Sequence, residues 1–230
     1  MKKSISLILV MAFSIFLLQA QDEKNNSGGT TFGIRGGVNF QNINGKANNG
    51  DKIKNDLLTG FNVGFNAEIP LAPAFYLQPG LLFTTKGAKS KDVILGQTFN
   101  TKINIMYVEM PLNFLYKPVL GNGHLLMGFG PYVALGVGGK VTYDGIGAST
   151  ERDIVFKNTV KVGDASDVYY VRPLDAGANL LFGYEFASKI SMQLNAQLGL
   201  MKINPEYDIA PNDKREEKNT GFGISLGYRF

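Results

Sequence analysis

From Phe222 to Phe230 the chain alternates without a break. Phe222, Ile224, Leu226, Tyr228 and Phe230 fall on one side, and Gly223, Ser225, Gly227 and Arg229 on the other. A period of two is that of a β-strand, whose successive side chains point to opposite faces. Seven earlier segments repeat the pattern. Thr31 to Gln41 sets Phe32, Ile34, Val38 and Phe40 against Gly33, Arg35, Gly37 and Asn39, and Leu58 to Ile69 sets Phe61, Val63 and Phe65 against Asn62, Gly64 and Glu68. Phe75 to Lys86 and Ile103 to Tyr116 follow, the second with Val108, Met110, Leu112 and Phe114 opposite Tyr107, Glu109 and Asn113. His124 to Thr142, Val168 to Phe186 and Lys189 to Lys202 complete the set, with Asp175, Asn179 and Glu185 on the polar side of the second of these.

The connections sort by parity. Those after even segments are short (Pro70 to Ala74, Lys117 to Gly123, Ala187-Ser188). Those after odd segments are long and polar (Asn42 to Leu57, Gly87 to Lys102, Tyr143 to Asp167, Asn204 to Asn219). A membrane-spanning barrel meets lipid outside and a polar interior, and carries short turns at one rim and long loops at the other. The pattern predicts an all-β fold: an eight-stranded antiparallel transmembrane β-barrel over residues 31–230, with short periplasmic turns, long extracellular loops and both termini periplasmic. Pro79, Pro111, Pro131 and Pro173 lie inside the predicted strands, where each removes a ladder donor, so bulges or local water are expected there. A hairpin of Ile154-Val155-Phe156 with Val160-Lys161-Val162 would allow a ten-stranded alternative.

The first residues change the expected location. Lys2 and Lys3, an apolar run from Ile5 to Leu18 and a small Ala20 have the layout of a secretory signal peptide over residues 1–20. Residues 21–30 then form a short polar lead-in. Loss of the signal takes the formal charge from +4 to +2, a balance that excludes a nucleic-acid binder. The mean hydropathy of −0.02 is too polar for a helical membrane protein and suits a barrel whose two faces cancel. The chain has no cysteine, which removes lipoprotein anchors, disulfides and thiolate metal sites.

At several points the chain resembles the PorT-like outer-membrane β-barrel family of Bacteroidetes. The resemblance begins at Phe32-Gly33-Ile34-Arg35-Gly36-Gly37-Val38-Asn39-Phe40 and at Gly60-Phe61-Asn62-Val63-Gly64-Phe65 with Glu68-Ile69-Pro70-Leu71. It continues in Leu77-Gln78-Pro79-Gly80-Leu81-Leu82-Phe83 with Lys86-Gly87-Ala88, and in Tyr107-Val108-Glu109-Met110-Pro111-Leu112. Gly130-Pro131-Tyr132, Asp175-Ala176-Gly177 and Gly227-Tyr228-Arg229-Phe230 complete it. It implies an outer-membrane barrel, and for the family's namesake a role in assembling a protein secretion system.

The inward charges are the candidate chemistry: Arg35, Glu68, Glu109, Asp175, Glu185 and Arg229, with Arg172 and Lys202 as outlying candidates. An eight-stranded barrel is just wide enough for its side chains, so a salt-bridged filling is expected, and a narrow porin or channel is the alternative. His124, the single histidine, falls beside a short turn with no nucleophile and orienting acid near it, so no enzyme activity, cofactor or metal is expected. Tyr228 and Phe230 are read as the signal by which barrel-assembly machinery takes up the last strand. Other expected partners are outer-membrane lipid, lipopolysaccharide beside the loop lysines, and an envelope protein.

Overall fold

The structure is a computed structural model that describes residues 29–94, 96–145, 147–210 and 212–230. The signal-peptide reading of residues 1–20 lies outside the described residues, as does most of the 21–30 lead-in. Eight strands make the wall: β1 (Thr31–Lys46), β2 (Leu58–Ala72), β3 (Phe75–Ile94), β4 (Gln97–Tyr116), β5 (Gly123–Gly145), β6 (Leu174–Glu185), β7 (Ile190–Gly199) and β8 (Glu216–Arg229). Each pairs antiparallel with the next, and β8 pairs with β1 from Gly33↔Arg229 to Lys46↔Glu216. The ring is closed, so no strand edge remains in the wall.

Alternation sets which face meets which solvent. Phe61, Phe114, Phe129, Leu180, Phe182, Leu198, Phe222 and Leu226 point outward and stay 49–64% exposed. A continuous apolar belt of this kind is unfavourable in water and matches a hydrocarbon layer. Near the short turns the belt ends in paired rings: Phe75 with Tyr116 at 4.7 Å, Tyr184 with Phe186 at 5.0 Å, and Tyr228 with Phe230 at 5.5 Å. Aromatic side chains of this type favour the boundary between hydrocarbon and headgroups. The turns there are tight enough that Ala74 and Lys189 take positive φ, 64° and 65°.

At the other rim the strands run further than the alternation of apolar residues suggested. The stretch from Gly87 to Lys102 is no loop: β3 and β4 stay paired out to Ile94↔Gln97. β5 likewise continues to Gly145 and turns back along Ala148–Phe156, whose residues 148–153 pair with it. This overhang is polar on its outer side because it stands in water, so it lacks the apolar alternation of the wall below it. Its inner side is apolar. Ala88, Ile105, Val141 and Ile154 pack with Ile43, Val171 and Ile203 into a buried cluster seated over the lumen.

The expected hairpin of Ile154-Val155-Phe156 with Val160-Lys161-Val162 does not form. Residues Ile154–Phe156 pair in parallel with Tyr169–Val171, and Thr159–Val160 pairs in parallel with Glu206–Tyr207. No bulge of the kind expected forms at Pro79, Pro111 or Pro131. Pairing lapses at Ala67-Glu68 against Gln78-Pro79, at Gly80-Leu81 against Met110-Pro111, and at Leu112-Asn113 against Gly130-Pro131, but the register is the same on both sides of each gap. Each proline costs a donor without inserting a residue. The register shifts lie elsewhere, between Pro70 and Ala72 and between Met106 and Tyr107. Pro173 stands just before β6, and its carbonyl accepts from Gly136 N at 2.7 Å.

Candidate functional site in the barrel lumen

The inward residues of β2, β6 and β8 near the short turns form one charged group. Glu68, Glu185 and Arg229 are buried there, and Lys117 reaches in from the residue after β4. Lys117 Nζ lies 2.9 Å from Glu68 Oε2 and 2.8 Å from Glu185 Oε1, while Arg229 Nη2 donates to Glu68 Oε1. Two cations thus face two carboxylates. The sequence places Lys117 in the short connection that runs to Gly123, outside the inward charges.

A second group sits near the overhang. Lys86, fully buried, places Nζ 2.8 Å from Glu109 Oε2 and 3.1 Å from Asp175 Oδ2. Its ammonium also stands 4.0 Å from the centre of the Tyr132 ring, whose hydroxyl contacts Asp175. Asn219 Nδ2 donates to Asp175 Oδ2 at 3.0 Å. Arg35, on β1, donates to Asn195 Oδ1 at 3.4 Å rather than to a carboxylate. With Arg35 counted, four cations and four carboxylates occupy the lumen and the formal charges cancel. Lys86 shares the inward parity of Thr84, a signal that could have found it in the sequence.

Amides join the two groups. Gln78 Nε2 donates to Glu68 Oε1, Asn113 to Gln78, Asn179 to Asn113, and Gln197 to Asn179 at 2.9 Å and to Glu109 at 2.6 Å. A hydrogen-bonded strut therefore runs from one ion group to the other along the barrel. Leu115, Leu126 and Leu181 fill the space beside it. Buried charges in a narrow space are tolerated when they are paired and hydrogen-bonded, and the strut adds amide hydrogen bonds to Glu68 and Glu109, both of which also face a lysine.

The remaining candidates lie outside the strut. Arg172 is in the long-loop region, donating from Nη2 to Glu206 at 2.8 Å and from Nε to the Asn204 carbonyl. Lys202, between β7 and β8, is half-buried. His124 pairs through its backbone with Val119 and Glu185 at the short-turn rim. Among the described residues no cluster of histidine and carboxylate side chains could hold a metal ion.

One loop contact carries a pH signature. Arg215 forks onto Asp213, with Nη2 at 2.6 Å from Oδ2 and Nε at 2.8 Å, and lies over the Tyr207 ring. That bond holds the Asp213 carboxyl below its ordinary value of 3.8. A depressed carboxylate stabilises its contact fully above the unfolded pKa and loses that contribution as the pH falls through the folded one. An NMR titration of Asp213 is expected to give a midpoint below 3.8, and Arg215→Met should return it to the usual aspartate range. An unchanged midpoint in the variant would sink this assignment.

A closed, lipid-facing barrel with a packed polar interior defines a class, the β-barrel proteins of outer membranes. The family described as outer membrane protein beta-barrel domain matches residues 19–204, most of the chain, and the chain belongs to it. No curated protein sequence matches. Among solved structures, the attachment invasion locus protein Ail of Yersinia pestis aligns at a TM-score of 0.40 and 12% identity, over 87% of this chain and 98% of that one. Neisserial surface protein A aligns at 0.41 and 10% identity, over 88% and 100%. An outer membrane channel of Pseudomonas putida F1 aligns at 0.29 and 12% identity, over 91% and 98%.

Proposed function

We propose that this protein is a non-conducting outer-membrane barrel with a structural or interaction role, acting through its long-loop end. In this reading the overhang and long loops face the exterior, both termini are periplasmic, and residues 1–20 serve as the secretory signal. The observation that carries it is the strut from Glu68 to Glu109, which joins the two ion groups across the lumen. The resemblance to PorT-like barrels supports a role in assembling an envelope complex, a secretion system among them. Outer-membrane lipid and lipopolysaccharide surround the belt, and the assembly machinery reads the last strand at Tyr228 and Phe230.

Planar-bilayer recording on the refolded chain, with heat-modifiable gel mobility as the check of folding, tests the reading. A folded barrel with no unitary current is the expected result. Stable currents whose ion selectivity changes with Arg35→Ala or Glu109→Ala would overturn it in favour of a narrow porin.

A further inference from the structure

The overhang carries an outer face whose charges are sorted by side. Three ladder rows cross it: Lys91, Asn100, Asp144 and Ser149; Lys89, Lys102, Thr142 and Glu151; and Gly87, Asn104, Lys140 and Asp153. Lys89 and Lys102 stand directly opposite each other, an arrangement that destabilises a sheet unless an anion joins them. Among the described residues neither makes an ion pair, and neither does Lys91. Asp56 bonds to Lys89 through the main chain only. Across the same face Asp144 and Asp153 also lack an ion-pair partner, while Glu151 holds Lys140 at 2.7 Å.

We propose that a second copy of this chain packs on this face, about a twofold axis parallel to the barrel axis and passing in front of the seam between β4 and β5. The β3 and β4 side carries Lys89, Lys91 and Lys102 with Asp56 beside Lys89, and the β5 and Ala148–Phe156 side carries Asp144, Glu151 and Asp153 with Lys140 among them, so one side is net positive and the other net negative. Half a turn brings the two faces together with opposite sides in register, so each lysine edge meets a carboxylate edge. Such an isologous contact needs one self-complementary patch, which this sorting supplies. The wall below the face is also the one interrupted at Pro79, Pro111 and Pro131. Lipid tails offer that wall no donors, and a protein neighbour shields it. A phosphorylated lipid headgroup would suit the lysines alone, but the carboxylates of Asp144, Glu151 and Asp153 on the same face repel it.

The chain has no cysteine, so a single introduced one reports only on copies meeting at that position. Asn100→Cys, in the middle of the face, is expected to give a covalent dimer with a short bis-maleimide in native membranes. Lys218→Cys, on β8 across the ring, should remain monomeric. In the Asn100→Cys background, reversing Lys89, Lys91 and Lys102 to Glu should lower the dimer yield at least tenfold, and adding Asp144→Lys, Glu151→Lys and Asp153→Lys should restore it. Heat-modifiable mobility verifies that each variant is folded, and Asn100→Cys alone, a small neutral change, keeps the test open if a reversal fails to fold. Absence of the Asn100→Cys dimer overturns the proposal. So does loss on lysine reversal with no restoration, the outcome that a lipid-headgroup site would give.

Discussion

Lys86→Met is expected to destabilise the barrel by about 3–5 kcal/mol, the range for removing one partner of a buried ion pair. The reason is local. Glu109 and Asp175 are 1% and 0% exposed, and both rely on the same ammonium, at 2.8 and 3.1 Å. Methionine fills much of the volume and leaves two carboxylates without a counter-charge in a space that water does not reach. Urea unfolding in detergent or lipid, followed by heat-modifiable mobility, should show a midpoint lower by roughly 1–5 M, given slopes of about 1–3 kcal/mol per M. Combining Lys86→Met with Glu109→Gln and Asp175→Asn should recover most of the loss, because a neutral hydrogen-bonded replacement carries no uncompensated charge. A wild-type midpoint for Lys86→Met would mean that this ion group contributes nothing to stability.

The next residue is the site of the other large effect. Gly87→Val is expected to abolish folding outright, with no heat-modifiable species recovered. Gly87 has φ +144°, a region closed to side chains with a Cβ, and a Cβ there would sit 1.9 Å from the Ile103 carbonyl oxygen of β4. Neither the backbone strain nor the overlap is relieved by a rotamer change, so the β3–β4 ladder would have to part where Lys86 is aimed into the lumen. Gly50 is the control: its φ of +88° is also positive, but nothing lies within 4 Å. Gly50→Ala should therefore fold and lose only about 1 kcal/mol, the ordinary cost of a left-handed conformation. Recovery of folded Gly87→Val in normal yield would contradict this account.

The wall was legible from alternation because lipid and lumen make opposite demands on neighbouring residues. The parity that put Phe61 and Phe65 outside also put Glu68 inside, and it did the same for Arg35, Glu109, Asp175, Glu185 and Arg229. Their partners were harder to read. Which levels of a barrel meet across the lumen depends on the stagger of the strands, so no spacing in the sequence joins Lys86 to Asp175 or Lys117 to Glu185. Lys117 was lost because a lysine followed by proline reads as a turn. The overhang was lost for a different reason. Once a strand leaves the hydrocarbon its outer face turns polar, so Lys89, Lys91 and Lys102 resemble a loop, even though Ala88, Ile103 and Ile105 keep the inward parity.

The apolar cluster over the lumen has a consequence for the order of events during assembly. Its members come from the end of β1 (Ile43), both arms of the β3–β4 hairpin (Ala88 and Ile105), β5 and the returning Ala148–Phe156 strand (Val141 and Ile154), and the segments before β6 and after β7 (Val171 and Ile203). No single hairpin contains enough of it to bury it alone. A chain assembling hairpin by hairpin keeps these residues wet until the last long connection is in place. Burial of this cluster then coincides with completion of the ring, so the long-loop end matures last and all at once.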